Sequence, residues 1–320
     1  MTNASYAARQ PPAVEREKPV HVLVTGFGND YHSVRVAFNT HNLKESHDQF
    51  ADYIQPFLDR FPKNSSWEIA STLPALIPAS SGNPTPIHIH VHHEPIRVAY
   101  KNVVDIVPKL LTTTPKPDVV LHIGLAASRR FFAIEQGAHS RGYGKTNDVD
   151  GELFPDSEAE KVFPDSQYPS VLHTGFDTED VVSRWRTSLG YTTPDGSPAI
   201  EQLPDVRINP DAGNFLCGFI YYNSLAWCHS KNPKPPSSET NGDASNGGDA
   251  SSGAKESPSV IFMHVPDLTS SESKLHEGCE VTVALIKALV ESRRKVGVGR
   301  ESKQTGSVVQ EDDARNNKVG

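Results

Sequence analysis

The stretch Asp118-Val119-Val120-Leu121-His122-Ile123 is a near-continuous apolar run that ends on Gly124. A strand with so little polar surface has no face to give to water. Both sides of its sheet must be covered, which is the habit of parallel sheets flanked by helices. The neighbouring segments supply those helices and further strands. Before it, Ile96 to Leu111 (IRVAYKNVVDIVPKLL) carries helical periodicity, and Ile87 to Val91 alternates apolar residues with histidine at the period of a strand. Val20 to Thr25 (VHVLVT) and Ser259 to Val265 (SVIFMHV) are β-rich apolar runs, and Val206 to Ile208 is a short third. Ser65 and Glu68 form a capping box at the start of a helix that Pro74 bends or ends. Asp177-Thr178 caps a helix through VVSRWRTSL. Phe215 to Trp227 (FLCGFIYYNSLAW) is a buried helix, and Val281 to Val290 belongs to the last long one. Strands alternating with helices predict an α/β protein: a single doubly wound α/β/α sandwich with a mostly parallel sheet, over residues 20–292.

An apolar fraction of 36% is low for a fully folded chain of 320 residues, so part of the length lies outside any core. Residues 1–19 and the charged tail 293–320 read as disordered, and 232–258 as a low-complexity loop of Ser, Gly, Asn and Pro. Residues 141–169 form a polar, turn-rich surface excursion. The net charge of −8 offers no general basic surface for nucleic acid or anionic lipid. The first twenty residues lack the apolar centre of a signal peptide, and no run approaches membrane-spanning length. Three scattered cysteines, Cys217, Cys228 and Cys279, make neither a disulfide framework nor a CxxC zinc pattern. The expectation is a cytoplasmic protein, a monomer or weak homo-oligomer, with no membrane or nucleic-acid partner.

The strongest local signal for chemistry is Asp211-Ala212-Gly213-Asn214-Phe215-Leu216-Cys217. A strand ends, a small-residue turn follows, and a cysteine arrives where a buried helix begins. Unpaired N–H groups at that end stabilise a thiolate, the reactive form of cysteine. A buried structural cysteine is the competing reading, and Cys228, about three turns along the same helix, fits it. His264 closes the strand SVIFM, at the carboxyl end where doubly wound folds place their ligand crevice. Glu135, in FFAIEQGAH, is a carboxylate among apolar residues and needs a partner; a histidine, Arg129 or Arg130 would serve. His88, His90 and His92 share one side of a strand but stand roughly 7 Å apart, too far to chelate one ion together. The turn Gly26-Phe27-Gly28 lacks the third glycine of a dinucleotide loop, where Tyr31 stands.

Separated segments of the chain resemble one family, pyroglutamyl-peptidase I (pyrrolidone-carboxylate peptidases). Its Thr-Gly-Phe, Pro-Phe and Asn-x-Ser-Trp-Glu pattern is similar to Thr25-Gly26-Phe27, Pro56-Phe57 and Asn64-Ser65-Ser66-Trp67-Glu68. Its glutamate segment resembles residues 124–143, nearest the animal-type version of a fungal or animal member. Its cysteine segment is similar to Asp211 through Tyr222, and its histidine segment to Phe262-Met263-His264-Val265-Pro266. The resemblance implies a cysteine peptidase that removes N-terminal pyroglutamate from peptides without metal or cofactor. Cys217 would be the nucleophile, His264 the base and Glu135 the group that orients it. Phe27 and Phe57 would wall the pocket for the neutral lactam.

The chain departs from this family at one place. Residues 29–55 separate Gly28 from Pro56, and without them the text reads TGFGPFLDRFPKNSSWEIA, an uninterrupted family motif. The segment is either a lineage-specific loop or a retained intron translated in frame. Because it parts the two pocket phenylalanines, a catalytically impaired homologue that keeps the fold and binds pyroglutamyl peptides is the alternative reading. A metal-binding protein built on the histidine strand is a third.

Overall fold

The computed structural model describes residues 17–28, 63–80, 83–191, 203–231 and 258–299. The insertion 29–55, Phe57, the loop 232–257 and the tail 300–320 lie outside the described residues. In chain order the elements are β1 (Val20–Gly26), α1 (Ser65–Thr72), β2 (Leu76–Ile77), β3 (Ile87–Val91), α2 (Tyr100–Leu111), β4 (Val119–Leu125) and β5 (Phe132–His139). There follow α3 (Asp156–Val162), β6 (Val171–His173), α4 (Thr178–Ser188), β7 (Val206–Asp211), α5 (Leu216–Lys231), β8 (Ser259–Val265) and α6 (Glu272–Lys295).

One eight-stranded sheet runs β2-β3-β1-β4-β8-β5-β6, with β7 also paired to β5. The pairs β1–β3, β1–β4, β4–β8 and β5–β7 are parallel; β2–β3, β5–β6 and β5–β8 are antiparallel. The expected α/β sandwich with a mostly parallel sheet is the fold. Its two faces account for the apolar run at 119–123. Val119, Leu121 and Ile123 enter a core with α1, α4 and α6, while Val120 enters a second core with α2 and α5. Val22 and Val24 against Leu23, and Ile261 and Met263 against Val260 and Phe262, divide in the same way. Alternate side chains of a strand point to opposite faces, so a strand buried on both is apolar at nearly every position.

Several elements differ from the sequence expectation, each because a distant contact decides. The cap of α1 is Asn64 rather than Ser65: its Oδ1 accepts from the Ser66 N–H at 3.1 Å. Ser65 Oγ instead accepts from the Leu268 N–H (2.8 Å), and Ser66 Oγ from the Phe27 N–H (3.1 Å), so both serines tie the helix to the ends of strands. Helix α2 begins at Tyr100, not Ile96. Ile96 is bridged to Phe27 beyond the end of β1, and the first turn is held by Asp148 Oδ2, which accepts from the Tyr100 N–H at 2.8 Å. Residues 141–169 are not only surface, since they contain α3 and bury Tyr143 and Asp148. The strands β5 and β6 were not anticipated. The last helix runs to Lys295, and Arg294 there pairs with Glu17. Among the described residues no helix is long and apolar enough to cross a membrane.

On the α5 face of β4, His122 is fully buried between two hydroxyls: Thr25 Oγ1 lies 2.7 Å from its Nδ1 and Ser224 Oγ lies 2.9 Å from its Nε2. Burial pushes its pKa down to about 3, so the ring is neutral in the folded protein and takes up a proton near 6.5 only on unfolding. The stability this confers is complete above pH 6.5 and declines as pH falls from there towards 3. Urea titrations of the natural chain and of His122→Gln, which can bond both hydroxyls but cannot titrate, should diverge least at pH 4 and most at pH 7.5, the natural chain losing its advantage on acidification. Parallel pH dependences would show that His122 is not the group responsible.

Candidate functional site

The antiparallel β5–β8 register sets Ala133 opposite His264 and Glu135 opposite Phe262. Glu135 and His264 are therefore diagonal neighbours on one face of the sheet, within reach of one another. Glu135 Oε1 lies 2.6 Å from His264 Nδ1, with Glu135 completely buried and His264 nearly so. Helix α5 packs over this face and brings Cys217, in its first turn, beside Gly124 and so next to the imidazole, where the thiol acts on the ring's charge. Three side chains from residues 135, 217 and 264 thus meet in one place: thiol, imidazole, carboxylate.

A glycine makes room for this. In the parallel β4–β8 pair Gly124 stands across from His264, and a Cβ on it would lie 2.8 Å from Cys217 Sγ and 2.6 Å from Phe262 Cζ. The sulfur occupies the hollow that the missing side chain leaves. Gly218 is similarly demanded by the turn below the helix, since a Cβ there would come within 1.9 Å of the Gly213 carbonyl oxygen.

The electrostatics follow from burial and charge. Burial by itself opposes the imidazolium form of His264, but the Cys217 charge and hydrogen bond, followed by those of Glu135, outweigh it and push the ring up to about 9. The carboxylate is held by more than His264. Arg129 donates from Nη1 to Oε1 at 2.9 Å, and Asn209 donates from Nδ2 to Oε2 at 2.6 Å. Both partners named from sequence, a histidine and Arg129, are present together. Tyr221, one turn beyond Cys217, donates its hydroxyl to the Glu135 carbonyl oxygen at 3.0 Å. An assembly of this kind can draw the proton off a thiol and hold it on the imidazole beside the sulfur.

Phe27 is buried just beyond β1, in the core against which Cys217 packs; Phe57 is outside the described residues. Cys228 lies further along α5, and burial pushes its thiol up to about 12, the behaviour of a structural cysteine. Of the strand histidines, His90 meets His21 of the adjacent β1 rather than its own neighbours, His21 Nδ1 standing 2.9 Å from His90 Nε2. Where the strand alternation stops after Val91, the ligand atoms of His92, His93 and Glu94 come within 4.8 Å of one another, although His93 and Glu94 are exposed. Asn209 was not anticipated. Its only signal in the sequence is its place two residues before the Asp211 turn.

The same fold occurs in solved pyrrolidone carboxyl peptidases. That of Thermococcus litoralis superimposes with a TM-score of 0.52 at 15% identity, covering 90% of this chain and 100% of that one. A mutant of the Pyrococcus furiosus protein gives 0.50 at 18%, covering 85% and 99%. No family model matches the chain. Its sequence is 25% identical to pyroglutamyl-peptidase 1 of Homo sapiens over 168 residues, which is 52% of this chain and 68% of the relative. The chain is thus similar over about half its length to pyroglutamyl-peptidase 1, and it shares the fold of the pyrrolidone carboxyl peptidases. The Rattus norvegicus relative gives 25% over 162 residues, 51% of this chain and 65% of its own length, so the matched part spans about two thirds of these curated relatives.

Seating the sulfur over a glycine makes a sharp expectation. Gly124→Ala should displace Cys217 Sγ and lower the rate of iodoacetamide alkylation of Cys217 at least tenfold, with the circular dichroism spectrum and the cooperativity of unfolding retained. A misplacement of about 1 Å is enough to cost such a factor. Mass spectrometry of the alkylated peptide reads the rate at this cysteine alone.

Proposed function

We propose that the chain is a cysteine exopeptidase that releases N-terminal pyroglutamate from peptides. The observation that carries the reading is the meeting of Cys217, His264 and Glu135 at the carboxyl ends of β4 and β8. The sequence likeness supports the substrate class, since the relatives it points to are pyroglutamyl-peptidases.

In this reading the Cys217 sulfur attacks the carbonyl carbon that joins pyroglutamate to the next residue. His264 carries the thiol proton, with Glu135 fixing the ring and countering its charge. The carbonyl oxygen takes up negative charge, and the Cys217 backbone N–H in the first turn of α5 would donate to it. When the C–N bond breaks, His264 gives its proton to the leaving amine and a thioester remains on Cys217. Water, deprotonated by the now neutral His264, attacks the thioester, releases pyroglutamate and restores the thiol. The substrate has a neutral lactam in place of a terminal ammonium, so its pocket needs apolar walls and no acidic anchor; Phe27 and Phe57 are the residues proposed for it.

Hydrolysis of a fluorogenic pyroglutamyl amide tests the proposal. Cys217→Ser should remove turnover to background, and an equal rate in that variant would remove Cys217 from the mechanism. The pH profile has a defined sign. The leaving amine needs the imidazolium, which persists until pH reaches about 9, so kcat/KM should fall as pH rises through 9. Glu135→Gln takes away a charge that supports the imidazolium and should bring that limb to lower pH.

The insertion makes a separate prediction. Closing a longer loop costs little entropy, so the fold tolerates residues 29–55. A pocket is less tolerant of displaced walls. Joining Gly28 directly to Pro56 should raise kcat/KM at least tenfold over the full chain. Equal activity of the two forms would make the segment a tolerated surface loop.

A further inference from the structure

Asn209 connects the carboxylate that meets His264 to the turn that carries Cys217. In the parallel β5–β7 register it stands directly across from Glu135, so its side chain shares the same face of the sheet. An amide nitrogen has two hydrogens. Asn209 Nδ2 places one on Glu135 Oε2 and the other on the Asp211 carbonyl oxygen, both at 2.6 Å. Asp211 in turn opens the tight turn before α5, its Oδ1 accepting from the Gly213 N–H at 2.7 Å. Glu135 Oε1 is shared by His264 and Arg129, whereas Oε2 is held by Asn209. With no solvent at Glu135, rotation of the carboxylate is restrained, among the described residues, by these donors.

We infer that Asn209 is a positioning residue of this site, a bridge that fixes the carboxylate plane of Glu135 towards His264 and keeps the Cys217 turn in register with it. The inference rests on the peptidase reading for its consequence in turnover, but its geometry is independent of any substrate. Loss of the bridge frees Oε2 to seek other donors, and Oε1 then turns away from Nδ1. It also releases the Asp211 carbonyl, so the sulfur and the ring lose their common reference. An apolar side chain of equal size cannot substitute, and serine is too short to reach both acceptors.

The groups facing His264 that determine its charge are Cys217 on α5 and Glu135 on β5; Arg129 before β5 and the Tyr221 hydroxyl on α5 bond to Glu135, and the Tyr143 hydroxyl lies near Gly218. Asn209 carries no charge, so any shift it causes must pass through the placement of these groups.

The test uses Asn209→Leu and Asn209→Ser in the full chain, with two measurements. For pyroglutamyl amide hydrolysis, kcat should fall at least tenfold in both variants with KM within about twofold, the pattern of a misplaced catalytic group rather than a lost binding contact. The alkaline limb of kcat/KM should move to lower pH. The second measurement is the pH dependence of Cys217 alkylation by iodoacetamide, which needs no peptide and should change in the same variants. If the natural chain hydrolyses no pyroglutamyl amide yet its alkylation profile moves with Asn209, the bridge stands and the peptidase reading falls. Folded variants with kcat within twofold and an unmoved alkylation profile would overturn the bridge. So would failure of both variants to fold, which would make Asn209 a residue of stability alone.

Discussion

Glu135 is a carboxylate with no contact to water, in the middle of a strand whose neighbours are phenylalanine, isoleucine and alanine. Burying a charge in such a place costs several kcal/mol unless it is paired and fully hydrogen-bonded, and removing one partner from a buried pair costs about 3–5 kcal/mol. Most features of the site can be read as answers to that cost. His264 and Arg129 share one oxygen, Asn209 takes the other, and the strands β8 and β7 that bring His264 and Asn209 both pair with β5. At Glu135 the strand β5 has antiparallel β8 and parallel β7 as partners, which is what allows both oxygens of the carboxylate to be served at once.

Satisfying the carboxylate also charges the histidine. An imidazole beside a buried carboxylate and a thiol does not behave like a free side chain: its proton is held to higher pH because neighbouring negative charge outweighs the penalty of burial. His122, on the same face two residues before Gly124, shows the opposite outcome. It too is buried, but its neighbours are the neutral hydroxyls of Thr25 and Ser224, and burial pushes its proton affinity down to about 3. Two histidines on one sheet face are thus driven in opposite directions by whether a charge faces them. That contrast separates a histidine suited to carry protons from one that ties strands to a helix.

Some errors of the sequence reading share a cause. The strand Phe132–His139 was not recognised because Glu135, Gln136 and His139 break its apolar alternation, and Glu135 can lie in a core only because residues 74 and 129 positions away meet it. Asn64 rather than Ser65 caps α1 because the serines are claimed by Leu268 and Phe27. Helix α2 starts late because its first N–H is answered by Asp148, 48 residues on. Local propensity names residues able to cap or pair, and long-range partners choose among them.

The amino-acid sequence by itself determined the layered α/β architecture, because a strand covered on both faces must be apolar at almost every position, and it identified Cys217, His264 and Glu135 as candidates through motifs that lie in conserved order with the family they resemble. Only the tertiary structure decided that these three meet. Residues 135 and 264 become neighbours through the antiparallel register of two strands 129 positions apart, and Cys217 reaches them through a gap at Gly124 that no local pattern reveals. Asn209 had no signal of its own, since an asparagine near a turn is common and its two acceptors belong to different elements. Register and packing are properties of pairs of segments, and a site assembled from four of them exists only once they are in place.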